Sequence, residues 1–287
     1  MIAQSFNYEA PPTLAQAISL LQQHGDDAKI LAGGHSLIPM MKLRFASPGI
    51  LIDINNIPGL SDIKVDGNTI KIGALTREVQ VEHSDLLKKH YPIFADVTKQ
   101  IADPQVRNMG TLGGNLAHGD AANDHPAVML AIGAHVIATG PNGSRSIDIN
   151  DFFQGFYATA LEQNEILTEI QLPVPPAHTG SAYHKLERKV GDYATAGVAV
   201  VLTMDGKICK QIGIGLTNVN AVPMRALRSE TFLTGKELTA ENIKEAGVLA
   251  SEDCAPSTDL RGSEAYKRDM VAVLVRRMIA LALSRVQ

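Results

Sequence analysis

The residues of this chain best suited to chemistry are two glycine pairs, each with a hydroxyl nearby: Ala32-Gly33-Gly34-His35-Ser36 and Thr111-Leu112-Gly113-Gly114-Asn115. A backbone that closes around a phosphate must aim several N–H groups at one point and tolerate positive φ, and residues without a Cβ allow both. Two such loops could hold a diphosphate from opposite sides, with Ser36 and Thr111 adding hydroxyls. Taken singly, either pair reads equally well as a turn. Asp124 follows the second pair, where its carboxylate could accept hydrogen bonds from ribose hydroxyls or cap the next helix. Tyr193 stands where the turn Lys189-Val190-Gly191-Asp192 enters an apolar strand, and it could cover a planar ring or fill a core.

Competing signatures fail on spacing. Gly213-x-Gly215 is followed by Asn218 where a dinucleotide fingerprint needs its third glycine, and neither Gly206-Lys207 nor Gly235-Lys236 precedes Ser or Thr. Gly34-His35-Ser36 has Ile38 where a nucleophile elbow needs glycine. His118 and His125, beside Asp120 and Asp124, match no standard metal-ligand pair and read as polar loop residues. The two cysteines, Cys209 and Cys254, are too few for an iron–sulfur cluster, a tetrathiolate zinc site or a disulfide framework. The spacings therefore support neither a metal site nor an acyl-enzyme serine.

The elements that must position these loops are mixed. The 287 residues suggest about two domains. Their 45% hydrophobic and 20% charged content fits a globular chain. A net charge of −4 without long basic runs argues against nucleic acid as a partner. No apolar stretch is long enough to cross a bilayer, and Met1-Ile2-Ala3-Gln4 does not begin an export signal, so a cytoplasmic location is expected.

Thr13 followed by Gln16 predicts a helix over 13–24, and Lys29–Ala32 a strand that the first glycine pair breaks before a short helix over 37–45. Strands are predicted at 50–54, 63–65 and 69–73, the last two joined at Asp66-Gly67. A helix follows over 84–102. The second glycine segment looks too glycine-rich for helix or strand, and a helix from about Asp124 to Ile132 comes next. Strands near 134–139, 145–149 and 165–172 lead to Pro173-Val174-Pro175-Pro176, where the main domain boundary is placed. Beyond it come strands near 181–188, 194–204 and 208–217. Helices near 226–236, 240–251 and 264–285 follow, the last with Val271, Leu274, Val275 and Met278 on one face.

In this order, Ala32-Gly33-Gly34-His35-Ser36-Leu37-Ile38-Pro39, Thr111-Leu112-Gly113-Gly114-Asn115 and Asp124 resemble the FAD-binding medium subunit of molybdenum hydroxylases, the xanthine dehydrogenase family. The resemblance runs nearly end to end. Residues 185–194, Leu216-Thr217-Asn218-Val219 and Asp259-Leu260-Arg261-Gly262 with Tyr266 are similar to the C-terminal domain of the same subunits, most of all in the aerobic carbon monoxide dehydrogenase group.

The resemblance implies an α+β fold: a two-subdomain FAD-binding module of the vanillyl-alcohol oxidase and p-cresol methylhydroxylase type, followed by a smaller α+β C-terminal domain. On that reading residues 1–176 form the FAD-binding domain, with subdomains of about 1–56 and 57–176, and residues 177–287 the C-terminal domain. The implied cofactor contacts are Ala32, Gly33, Gly34, His35 and Ser36 from one loop, and Thr111, Leu112, Gly113, Gly114 and Asn115 from the other. Asp124 would bind ribose or ribityl hydroxyls, Tyr193 would lie against the isoalloxazine, and Lys185 comes from the same segment.

The implied function is electron transfer within a heterotrimer. A small iron–sulfur subunit with 2Fe–2S clusters feeds FAD, a large subunit carries the molybdenum cofactor, and FAD passes electrons to an external acceptor such as a quinone. A dimer of heterotrimers, possible peripheral contact with the inner membrane face, and no substrate oxidation by this chain alone are also expected. The alternatives are a medium subunit serving a purine, nicotinate or heteroaromatic hydroxylase, and an autonomous FAD-dependent oxidase.

Overall fold

The computed structural model describes residues 2–286. It begins with a three-stranded parallel sheet in which Ile50–Asp53 lies between Asn7–Glu9 and Ala28–Leu31. Ile50, Leu51 and Ile52 are all buried, as a central strand covered on both faces requires. Helix Leu14–His24 packs Ala17, Ile18 and Leu21 inward, and the Thr13 hydroxyl caps it by accepting the Gln16 N–H at 3.3 Å.

The second unit is a five-stranded antiparallel sheet in the order Ile63–Asp66, Thr69–Gly73, Ile166–Pro173, His135–Gly140, Gly143–Asp148. The expected hairpin is present, with Asp66 opposite Thr69 and Gly67 at a φ of +58°. Three short helices stand here, Glu78–His83, Asp85–His90 and Ile93–Gln100: the last two replace the single helix expected over 84–102, and the first was not expected. Ser84 breaks the first from the second by capping the Leu87 N–H, and Pro92 stands at the start of the third.

The second glycine segment also departs from expectation, because Leu112–Ala117 is helical. Thr111 caps it through the Gly114 N–H at 3.1 Å. Leu112 and Leu116, one turn apart, are fully buried, so packing overrides the poor helix propensity of two glycines.

A four-stranded antiparallel sheet completes the chain, in the order Thr179–Leu186, Ala196–Asp205, Ile208–Thr217, Met224–Arg225. Helix Glu264–Ser284 covers one face and buries Val271, Leu274, Val275 and Met278, the four residues its pattern predicted. Helix His125–Ile132 covers the other face, and every one of its residues is buried. Gly213 and Gly215 now have a structural role. A Cβ at either would run into the Ala131 or Ala127 carbonyl, so these glycines let the helix lie against bare backbone. Among the described residues no helix is long and apolar enough to cross a membrane.

Candidate functional site

A cleft of about 880 Å³ opens where the three sheets meet, within the range of cofactor pockets. Its first wall is the turn after strand Ala28–Leu31. The N–H groups of Gly33, Gly34, His35 and Ser36 donate to no main-chain carbonyl among the described residues. Gly34, at a φ of +73°, bends the chain so that it can present them. The His35 ring folds back, its Nδ1 2.8 Å from the Gly33 carbonyl oxygen. Ser36 precedes helix Leu37–Lys42 without capping it, which leaves its hydroxyl available.

The second wall works differently. The N–H groups of Leu112 and Gly113 donate to Thr76 and Ala74 carbonyls, at 3.0 and 2.9 Å, and that of Asn115 donates to the Thr111 carbonyl at 2.9 Å. With the Gly114 N–H on Thr111, the main chain here is internally satisfied. What it offers the cleft is side chain: Asn115 Oδ1 is buried and has no partner. Such a group costs about 1–3 kcal/mol unless a ligand or water supplies a donor.

The two walls are in contact beside the cleft they line. A Cβ on Gly33 would lie 2.8 Å from Gly110 Cα and strike the Met109 carbonyl. Arg77 ties them, donating through Nη1 to the Met109 carbonyl at 2.6 Å and through Nη2 to Asn55 Oδ1 at 2.7 Å. Asn55 Nδ2 in turn donates to the Ala32 carbonyl at 2.9 Å.

Asp124 occupies the cap position of helix His125–Ile132, yet its side chain makes no capping bond. It reaches instead to strand Thr179–Leu186, where the Tyr183 hydroxyl donates to Oδ1 and Lys185 Nζ donates to Oδ2 at 2.9 Å. Burial pushes the Asp124 carboxyl above the ordinary carboxylate range, opposed by the Lys185 charge and by both hydrogen bonds. The expectation for His125 is corrected: it is the fully buried first residue of the helix, with Nε2 2.6 Å from Glu78 Oε2 and an unpartnered Nδ1.

Tyr193 stands at the mouth, 44% exposed. Enclosure by the cleft wall pushes its phenol up to about 12, reinforced by Asp120 and Tyr157 and opposed by Arg261. The Arg261 guanidinium lies 5.6 Å from the Tyr193 ring centre and pairs with Asp192 at 3.0 Å. Across the mouth the His118 and Tyr157 rings meet at 4.8 Å, and burial holds the His118 imidazole below its usual value against the opposing charge of Asp120.

The implied cofactor contacts all line this cleft except Leu112 and Gly113, which are buried. Sequence reading missed Tyr183, Glu78, Asn55 and Arg77. Only Tyr183 carried a signal, since it shares the strand parity of Lys185. The arrangement can seat an anionic group on the first loop, hydrogen-bond hydroxyls at Asp124 and Asn115, and cover a flat ring with Tyr193.

The family model for the FAD binding domain in molybdopterin dehydrogenase matches residues 4–175, and that for the CO dehydrogenase flavoprotein C-terminal domain matches residues 181–282. The chain is 47% identical to the carbon monoxide dehydrogenase medium chain of Hydrogenophaga pseudoflava, covering 99% of each. It is 46% identical, over 99% of each, to the one from Afipia carboxidovorans. A solved structure of the Hydrogenophaga pseudoflava carbon monoxide dehydrogenase, in a form lacking the Mo-pyranopterin moiety, superposes with a TM-score of 0.98 at 48% identity over 100% of both chains.

Proposed function

Because the chain belongs to the family of FAD-binding medium subunits of molybdenum hydroxylases, of the carbon monoxide dehydrogenase type, we propose that its cleft seats FAD between two unlike walls. The chain is an oxidoreductase subunit of a multi-subunit complex whose molybdenum and iron–sulfur centres lie on other subunits. FAD bound in the cleft would supply electron-transfer chemistry between the iron–sulfur centres of the partner subunit and an external acceptor. The residues present fit it: four consecutive N–H groups without a main-chain acceptor, a buried Asn115 Oδ1 without a donor, both among the described residues, and a cleft of suitable volume.

In this reading Gly33, Gly34, His35 and Ser36 bind the diphosphate through main-chain N–H groups and the Ser36 hydroxyl. Asn115 orients it from the other side, on a helix that Thr111 caps, Asp124 accepts from ribose or ribityl hydroxyls, and Tyr193 excludes water from one face of the isoalloxazine. The observation that carries the reading is the contrast between free N–H groups on one wall and an orphaned acceptor on the facing one. No side chain serves as catalytic acid, base or nucleophile. The domain boundary stays at residue 176, with subdomains of 1–56 and 57–176. We infer further that the assembly is a dimer of heterotrimers in the cytoplasm, touching the inner membrane face when its acceptor is a quinone.

The test is co-expression of the chain with its small and large partner subunits. The purified complex is expected to show oxidised-flavin absorbance that bleaches under carbon monoxide, a mass matching two heterotrimers, and no carbon monoxide oxidation by the chain alone. Flavin housed on another subunit, or substrate turnover by the isolated chain, overturns the reading. Bleaching only under heteroaromatic substrates would move the complex to another group of the family.

A further inference from the structure

Asp124 is where a buried charge meets the open cleft, and two side chains of one strand converge on it. Tyr183 and Lys185, two residues apart on strand Thr179–Leu186, therefore face the same way, and each takes one carboxylate oxygen. A carboxylate has about four acceptor positions, so two remain for ligand hydroxyls. Among the described residues Lys185 is the one cation that forms a salt bridge with Asp124, which shares it with Glu187, whose Oε2 lies 3.8 Å from Lys185 Nζ. Around them lie Tyr193 at the mouth, Asp120 before the helix, and His125 on its own helix, which pairs with Glu78 and, when charged, opposes the effect of burial on Asp124. A shared cation leaves the charge on Asp124 undercompensated, and a neutral donor without charge of its own completes the site.

We propose that Tyr183 is a positioning residue: its hydroxyl holds the Asp124 carboxylate ionised and turned toward the cleft, in the state that accepts hydrogen bonds from the ribose or ribityl hydroxyls of FAD. This rests on the reading that the cleft seats FAD. The Tyr183 hydroxyl suits the task because it stays a donor throughout: its phenol is pushed well above its usual value, first by burial and then by the Asp124 charge. The tyrosine is 2% exposed, so its donor is fixed by packing. On Asp124 the same hydrogen bond acts downward against burial, so its loss lets the carboxyl protonate at a higher pH. Protonation there turns an acceptor into a group that no longer offers both oxygens.

The experiment follows flavin release from the assembled complex by fluorescence between about pH 4 and pH 8, with folding monitored in parallel by circular dichroism. Tyr183→Phe keeps the ring and removes the donor. It is expected to move the acid limb of release upward by about one pH unit while leaving retention at the alkaline end near wild type. Tyr183→3-fluorotyrosine, a more acidic donor of nearly the same shape, should move the limb downward, and it decides the matter if the phenylalanine variant fails to assemble. An unshifted limb in either folded variant, or an equal loss of flavin at every pH, would mean that Tyr183 acts only by packing and overturns the proposal. Asp124→Asn separates this from the underlying reading: it should abolish the limb, whereas a wild-type limb there shows that Asp124 does not meet the flavin and removes the reading itself.

Discussion

The two glycine segments look alike in sequence and are built for opposite purposes. Gly33 and Gly34 shape a turn whose main-chain N–H groups meet no main-chain carbonyl among the described residues, and Gly34 adopts a positive φ within it. Gly113 and Gly114 lie in a helix whose donors are taken up internally; Gly113 is there because its backbone presses on Ala74. The difference teaches that a missing Cβ can serve the ligand or the fold, and that the hydrogen-bond ledger of the backbone, not the residue type, says which. Substitutions in the first segment should register in flavin binding, and those in the second mainly in stability.

The sharpest way to break this contrast is Gly113→Val. Its Cβ would lie 2.5 Å from Ala74 Cβ and 2.6 Å from the Ala74 oxygen, so we expect a loss above about 3 kcal/mol, read by thermal unfolding. A wild-type melting temperature would refute the packing role. Gly33→Val presses on the Met109–Gly110 backbone where the walls touch. The expected outcome is a complex without flavin, destabilised by roughly 1–3 kcal/mol, scored as flavin per protein and melting temperature together.

Asn115→Ala should separate the two currencies. Removing the orphaned Oδ1 leaves the flavin-free chain at least as stable as wild type and weakens flavin retention about tenfold, measured by thermal unfolding and by titration of deflavinated complex. If retention is unchanged, the second wall contributes nothing to the ligand. Thr111→Val deletes the helix cap and should cost about 1 kcal/mol of stability, with flavin affinity nearly unaltered; the reverse pattern would make Thr111 a ligand contact. The smallest effect belongs to Ser36→Ala. An uncapped hydroxyl contributes nothing to the empty fold, so we expect unaltered unfolding and a few-fold weaker binding.

Much of this was legible in the sequence, for reasons that individual residues make plain. The strand Ile208–Thr217 and the final helix follow from apolar patterning, and helix Leu14–His24 from its Thr13 cap, because those signals are local. The helical state of Leu112–Ala117 was not legible, since it depends on Leu112 and Leu116 finding a core made by distant strands. Nor was the fate of Asp124. A cap position predicts a local bond, whereas the carboxylate is claimed by Tyr183 and Lys185, about sixty residues further on. The Arg77–Asn55 tie between the walls has no sequence signature, being a pair of side-chain bonds to main-chain carbonyls and to one another.

The seam where helix His125–Ile132 lies on Gly213 and Gly215 has a consequence for how the chain can be recombined. Backbone meets backbone there, leaving no rotamers to absorb a mismatch. A chimera that joins the front of this chain to the rear of a related one can differ freely at the surface. A single methyl at either glycine would jack the helix off its bed and swing Asp124 with it, so the two halves are exchangeable only as matched surfaces.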